Sequence, residues 1–220
     1  NQGAPQVNYK EALTKMVNHR EKLKKQSGGS GLFADMEFEL GPADQEFLDS
    51  EDFKNGKTKL QFIWGIVGGS IDKNYIKPIT DGFNQMMGNG ILAGYNIDSM
   101  KVRVHDGSMH SVDSKPIAFE LAAKEGFREA AKKAGAVLLE PIMKLEVTTP
   151  DEYTGSVIGD LNRRRGLVKG QDVKFNAVIV KAEVPLSEMF GYVTQLRTIT
   201  SGRASSSMEF SHFNQAPANI

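Results

Sequence analysis

Met100-Lys-Val-Arg-Val-His-Asp-Gly-Ser-Met-His-Ser-Val-Asp-Ser-Lys-Pro116 changes character along its length. Met100, Val102 and Val104 alternate with polar residues, so Met100 to His105 reads as a strand with one apolar face. Asp106-Gly107 is turn chemistry, because glycine tolerates positive φ. Asp113 or Ser114 suits the N-cap of a following helix. Pro116 suits its first turn, where the missing N–H would have had no partner. His110 therefore stands on a loop between a strand and a helix.

The helix is the clearest in the chain. From Lys115 to Ala134, Phe119, Ala123, Gly126, Phe127, Ala130 and Ala134 fall on one face, and Glu120, Lys124, Arg128 and Lys132 lie away from it. Upstream, Leu32 to Leu40 alternates with Leu32, Ala34, Met36, Phe38 and Leu40 on one side. Gln26-Ser-Gly-Gly-Ser-Gly31 joins it to the polar segment Val17 to Lys25, which carries Arg20, Lys22, Lys24 and Lys25. That pair fits a hairpin with a glycine-rich tip. Gln6 to Lys15 reads as a strand, Gly41 to Lys59 as a polar excursion, Leu60 to Val67 as a buried strand, and Asn74 to Gly88 as a helix with Pro78 in its first turn.

Glu140-Pro141 marks a domain boundary. Beyond it the strand Ile142 to Val147 leads into Thr149-Pro-Asp-Glu152, which has the form of a capping box. The helix that follows buries Tyr153, Val157 and Leu161 and closes after Arg163, Arg164 and Arg165 at Gly166. Strands at Leu167 to Lys174 and Ala177 to Val184, a helix capped by Ser187, and a strand at Ala204 to Phe213 complete the order β-α-β-β-α-β. That order is a split βαβ, ferredoxin-like sandwich. The fold class is thus α+β in two domains, 1–139 and 140–220.

Composition narrows the chemistry. The chain has no cysteine, which excludes disulfides, thiol catalysis and cysteine metal sites. Lys+Arg 27 balances Asp+Glu 27, so contact with a polyanion must come from local patches. No apolar run approaches the roughly 20 residues of a membrane helix. The chain opens Asn-Gln-Gly rather than with Met, which reads as a piece of a longer protein.

Three catalytic or ligand readings are weak. Ser108, His110 and Asp113 share one short loop without an oxyanion hole or surrounding wall. His19, His105, His110 and His212 lack metal-ligand spacing, and His105, His110 and Asp113 make a poor set. The glycine loop at 26–31 lacks the Lys-Ser/Thr ending of a P-loop, so no nucleotide site is visible. Arg163 to Arg165 are more basic than a helix C-terminus needs, and three guanidinium groups suit RNA phosphates. The residues alone favour a polyanion-binding module over an enzyme.

Longer segments look familiar. Glu140-Pro-Ile-Met-Lys-Leu-Glu-Val147, Gly159-Asp-Leu-Asn-Arg-Arg-Arg-Gly166, Ala182-Glu-Val-Pro-Leu-Ser-Glu-Met-Phe-Gly-Tyr192 and Gly202-Arg-Ala-Ser205 resemble the fifth domain of translation elongation factor G. Gln26-Ser-Gly-Gly29, Leu92-Ala-Gly-Tyr95, His110 with Val112-Asp-Ser114, and Ala130-Ala-Lys-Lys133 resemble its fourth. The resemblance implies a ribosomal-protein-like β-α-β domain with a left-handed crossover, then a ferredoxin-like domain that lacks the family's terminal helix.

It also implies a role. The chain is expected to be the part of a translational GTPase that contacts the ribosome, tRNA and mRNA during translocation, without catalytic residues or metal of its own. GTP and Mg would belong to a preceding domain. The tip residues Gln26, Ser27, Gly28, Gly29 and Ser30, with Ser108, Met109, His110 and Ser111, would enter the decoding region of the small subunit. Arg163, Arg164 and Arg165 would meet rRNA at the factor-binding site of the large subunit. A cytoplasmic monomer with no membrane contact is implied. Ser30, Met109 and Ser111 depart from the family's usual arginine, aromatic and acidic residues, which leaves a divergent paralogue as open as the housekeeping factor. The alternatives are the same region of a tetracycline-resistance ribosomal protection protein, or a stand-alone enzyme using His110.

Overall fold

The structure is a computed structural model that describes residues 7–26 and 31–218. Its elements are β1 (Lys10–Ala12), β2 (Val17–Lys25), β3 (Leu32–Gly41), α1 (Gln45–Leu48), α2 (Glu51–Lys54), β4 (Leu60–Trp64), α3 (Ile76–Met87), β5 (Met100–Ser108), α4 (Pro116–Ala131), β6 (Val137–Pro150), α5 (Thr154–Arg163), β7 (Leu167–Lys174), β8 (Ala177–Pro185), α6 (Tyr192–Ile199) and β9 (Ser205–Gln215). Compact units divide between Leu138 and Leu139, within the strand β6.

In the first unit the sheet order is β2-β3-β5-β4. Strands β2, β3 and β5 pair antiparallel, while β4 lies parallel to β5 and reaches it through α3. The apolar face of β3, with Phe38 at its centre, packs beneath α3 and α4; Phe38, Phe83, Phe119 and Phe127 are all buried. Small residues set the spacing. A Cβ on Gly82 would lie 2.8 Å from the Cβ of Ala123, and one on Gly126 would lie 2.9 Å from the Phe38 ring. Removing a phenylalanine from such a core costs about 3–5 kcal/mol.

Several local expectations give way to tertiary context. Of the span Gln6 to Lys15, Gln6 lies outside the described residues and the described part contributes β1, while Gly41 to Lys59 forms two short helices, the second capped by Ser50, whose side chain accepts from the Phe53 N–H. Strand β4 stops at Trp64 and lies at the sheet edge, half-buried, while Val67 is fully outside. Asp106-Gly107 is not a turn. β5 runs through it to Ser108, and His105 bulges because Glu37 pairs with Asp106 while Phe38 pairs with Val104. Helix α4 begins at Pro116 with Lys115 at its N-cap and no capping side chain.

The second unit has strand order β9-β6-β8-β7. Helices α5 and α6 share a core with β6 and β8 built on Leu145, Val147, Val157, Leu161, Val180, Val184 and Leu196. This is the ferredoxin-like order expected. The capping box does not form, since β6 stays paired to β8 as far as Pro150 opposite Ala177, and a 3-10 turn at Asp151–Tyr153 precedes α5. Ser187 also caps nothing; it lies in a 3-10 turn, and α6 starts after Gly191 in a left-handed conformation (φ 71°).

Candidate nucleic-acid interface

The strands bring the candidate contact residues to one end of the first sheet. β2 and β3 stay in register to Lys25 opposite Leu32. The turn residues Ser27, Gly28, Gly29 and Ser30 lie outside the described residues, and Gln26 is exposed at its edge. Gly31 returns the chain where space is short: a Cβ there would lie 3.0 Å from the Lys25 carbonyl and 3.5 Å from the Asp113 carboxyl. The hairpin end and the 109–114 loop are therefore neighbours.

That loop is pinned by main-chain bonds. Ser114 N–H donates to the His110 carbonyl (3.1 Å), and Phe33 N–H donates to the Asp113 carbonyl (3.0 Å). Ser114 Oγ accepts from His110 N–H (2.9 Å) and donates to the Phe33 carbonyl (2.9 Å). Tyr75 closes the set by donating its hydroxyl to the Ser114 carbonyl (2.8 Å). The side chain read as a helix cap thus joins the loop to β3 instead.

The His110 imidazole lies flat on the Phe33 ring, centroids 3.7 Å apart and planes within 3°. Phe33 is buried, and the Lys22 ammonium sits 5.8 Å from its centroid. Such a stack contributes about 0.5–1.5 kcal/mol beyond burial and fixes the plane of the imidazole. His110, Met109 and Ser111 form one side of a cleft of about 560 Å³, whose remaining lining is Asp72, Asn74, Tyr75 and Pro116.

Beneath it runs a charge network. Arg20 grips Asp35 with two parallel bonds, Nε to Oδ1 at 2.9 Å and a terminal nitrogen to Oδ2 at 2.8 Å, and Ser108 Oγ donates to Oδ2 at 2.7 Å. Glu37 and Asp106 flank the same guanidinium. The Arg20 bond holds the buried Asp35 carboxyl below the usual carboxylate range, and the Ser108 hydroxyl adds to it. The Arg20 guanidinium is raised correspondingly. Ser108 therefore acts on Asp35, and no Ser-His-Asp relay is assembled. Among the described residues no group of three His, Asp or Glu side chains has metal-holding geometry.

Three contributors escaped the sequence reading. Phe33 carried a signal, being the one apolar residue on a face otherwise made of Asp35, Glu37 and Glu39. Arg20 shares a polar strand with Lys22, Lys24 and Lys25, and nothing in the sequence marks it as the one that Asp35 takes. Glu11 is buried and accepts the N–H groups of Leu92, Ala93 and Tyr95 at 2.8, 2.9 and 2.9 Å, so its carboxylate organises the Leu92-Ala-Gly-Tyr95 loop.

The three arginines of the second unit have separate fates. Arg164 donates to Asp160 (3.1 Å) and to the Glu188 carbonyl (2.6 Å), with its guanidinium over the Tyr192 ring. Tyr192 is buried, and its hydroxyl is pushed up to about 12 by that burial. Arg165 holds the buried Glu140 through two bonds (2.9 and 3.1 Å) and Glu188 through a third (3.0 Å). Glu140 raises the Arg165 guanidinium above its ordinary value. Arg165, not Gly166, takes the left-handed conformation that closes α5 (φ 58°). Its N–H and that of Gly166 return to the carbonyls of Asn162 (3.3 Å) and Leu161 (2.9 Å), a Schellman closure. Gly166 is needed for space, because a Cβ would lie 2.6 Å from Val184. Arg163 alone of the three points outward, its side chain 72% exposed.

The geometry is that of a polar loop pinned at one end of the first sheet, with a ferredoxin-like unit following in the chain. The model for elongation factor G, domain IV, matches residues 5–135, and that for the elongation factor G C-terminus matches residues 137–220. The chain belongs to the elongation factor G family. It is 57% identical over 220 residues to elongation factor G of Cytophaga hutchinsonii, covering 100% of this chain and 30% of that protein. To elongation factor G 2 of Vibrio vulnificus it is 49% identical over 218 residues, covering 99% and 30%. A crystal structure of a Thermus thermophilus protein matches with a TM-score of 0.81 and 35% identity, over 99% of this chain and 31% of that one. The chain thus spans 30% of the length of the curated relatives it matches.

Proposed function

We propose that this chain is the ribosome- and tRNA-contacting part of a translational GTPase that promotes tRNA–mRNA translocation. The observation that supports this most is the exposed His110 imidazole, held flat on Phe33 at the end of a loop pinned to two other elements. A probe that must enter any codon–anticodon duplex reads backbone and shape rather than base identity. It needs a small rigid tip and donors that serve any sequence, and an imidazole N–H is one. Met109, Ser111, Gln26 and Ser27 to Ser30 complete the contact with tRNA and mRNA in the small-subunit decoding region. Ser108 serves from behind through Asp35. Exposed Lys22, Lys24 and Lys25 approach the flanking phosphates.

In the second unit Arg163 contacts large-subunit rRNA near the factor-binding site, and Arg164 and Arg165 hold the helix end that presents it. GTP and Mg act on a preceding domain of the parent, which works as a cytoplasmic monomer. The test is binding of this chain to bacterial ribosomes between roughly 50 and 200 mM salt, followed by RNA footprinting. Protection of the small-subunit decoding region that His110→Ala weakens, with large-subunit protection retained, supports the proposal. No saturable ribosome binding at the lowest salt contradicts it.

A further inference from the structure

The β7–β8 hairpin turns through Phe175 and Asn176, with Lys174 paired to Ala177. Two-residue hairpins favour turns with positive φ, a geometry that suits glycine or asparagine. Here Phe175 holds the positive φ, at 53°. Its ring is also fully outside, 102% exposed. A bulky side chain in that conformation strains the turn, and an exposed ring gains nothing from folding. Glycine would serve the hairpin better on both counts, so the ring's use lies outside this unit.

Its surroundings indicate the partner. Lys169, Gln171, Asp172, Lys174 and Asn176 are exposed, and Val173, 77% exposed, adds one apolar neighbour. Asp172 is neutralised by Lys181 at 3.1 Å, whereas Lys169 and Lys174 have no acidic partner among the described residues. A single ring with open faces beside unpaired lysines is the chemistry of single-stranded nucleic acid: bases stack on the ring and phosphates meet the cations. A protein partner would need a broader apolar footprint.

We propose that Phe175 is a stacking platform for an unpaired base of ribosomal RNA, with Lys174 on a neighbouring phosphate. The ribosomal identity of that RNA rests on the function proposed above; the stacking itself does not. The test titrates the wild-type chain and the variants Phe175→Trp, Phe175→Leu and Phe175→Gly against large ribosomal subunits and against a short single-stranded adenine oligonucleotide. Trp should preserve affinity for both. Leu and Gly should each weaken it about tenfold. The Gly variant should fold at least as stably as wild type, because glycine fits the left-handed backbone. Lys174→Ala should lower the slope of log affinity against log salt by about 0.7.

Leu and Gly variants that bind both probes as tightly as wild type would overturn the inference. So would a Leu variant that keeps full affinity for subunits while Gly loses it, since that pattern marks an apolar pocket on a protein. Failure of the wild-type chain to bind subunits would instead sink the ribosomal assignment, and the oligonucleotide titration would still decide the stacking.

Discussion

His110 lies on Phe33 with ring centroids 3.7 Å apart and planes within 3°, so the exposed imidazole takes its orientation from a buried phenyl ring. Everything proposed for the tip depends on that relationship. Two side chains on different strands and loops meet because β3 and β5 are paired, and because Ser114 ties the loop back to the Phe33 carbonyl.

Phe33→Leu keeps most of the buried volume and removes the ring. The expected cost is about 1–2 kcal/mol in chemical denaturation, from lost stacking and imperfect packing. The carbon-bound protons of the His110 ring should shift downfield in the NMR spectrum as the ring current disappears. Unchanged His110 resonances would mean that the stack does not hold the imidazole in solution.

Asp35 gives the first unit an acid-sensitive joint. Its native carboxyl titrates below the ordinary 3.8, mainly through the Arg20 bond. Its contribution to stability is therefore complete above the unfolded value, near pH 4, and fades as pH falls through the lower native value. Asp35→Asn should cost about 2–3 kcal/mol at neutral pH, a buried partner being lost to a half-exposed arginine. It should also flatten the fall in stability below pH 4. Thermal melts from pH 7 to pH 2 measure both, and parallel curves for wild type and variant would refute the assignment.

The arginine run separates a structural role from a binding role. Arg165→Ala strands the buried Glu140 carboxylate and should destabilise the second unit by about 3 kcal/mol. Arg163→Ala should leave the melt unchanged within about 0.5 kcal/mol and reduce the salt dependence of ribosome association. Melts and ribosome cosedimentation on the two variants decide the matter. A salt slope unchanged by Arg163→Ala would return that residue to a helix-end charge.

What could be read from the sequence follows from which signals were redundant. β3 and α4 repeat their apolar residues over many positions, so either pattern survives an imperfect local signal. Asp106-Gly107 carried a single strong local signal, and cross-strand pairing with Glu37 and Met36 overrode it. The box at Thr149 lost in the same way to the ladder between β6 and β8. At the end of α5, glycine preference pointed to Gly166 for the left-handed position. The nearby Val184 side chain, invisible in the linear sequence, is what requires glycine there, and the conformation falls on Arg165. His110 was legible as a loop residue, whereas Phe33 escaped notice, and nothing in a linear string says that the two touch.

The most direct test is made in the full-length parent protein. His110→Ala should slow single-round tRNA–mRNA translocation, followed with a labelled mRNA, by tenfold or more, on the order of a lost transition-state contact. Ribosome-stimulated GTP hydrolysis, measured on the same preparation, should stay within about twofold of wild type. Equal loss of translocation and hydrolysis, or loss of neither, would contradict the account.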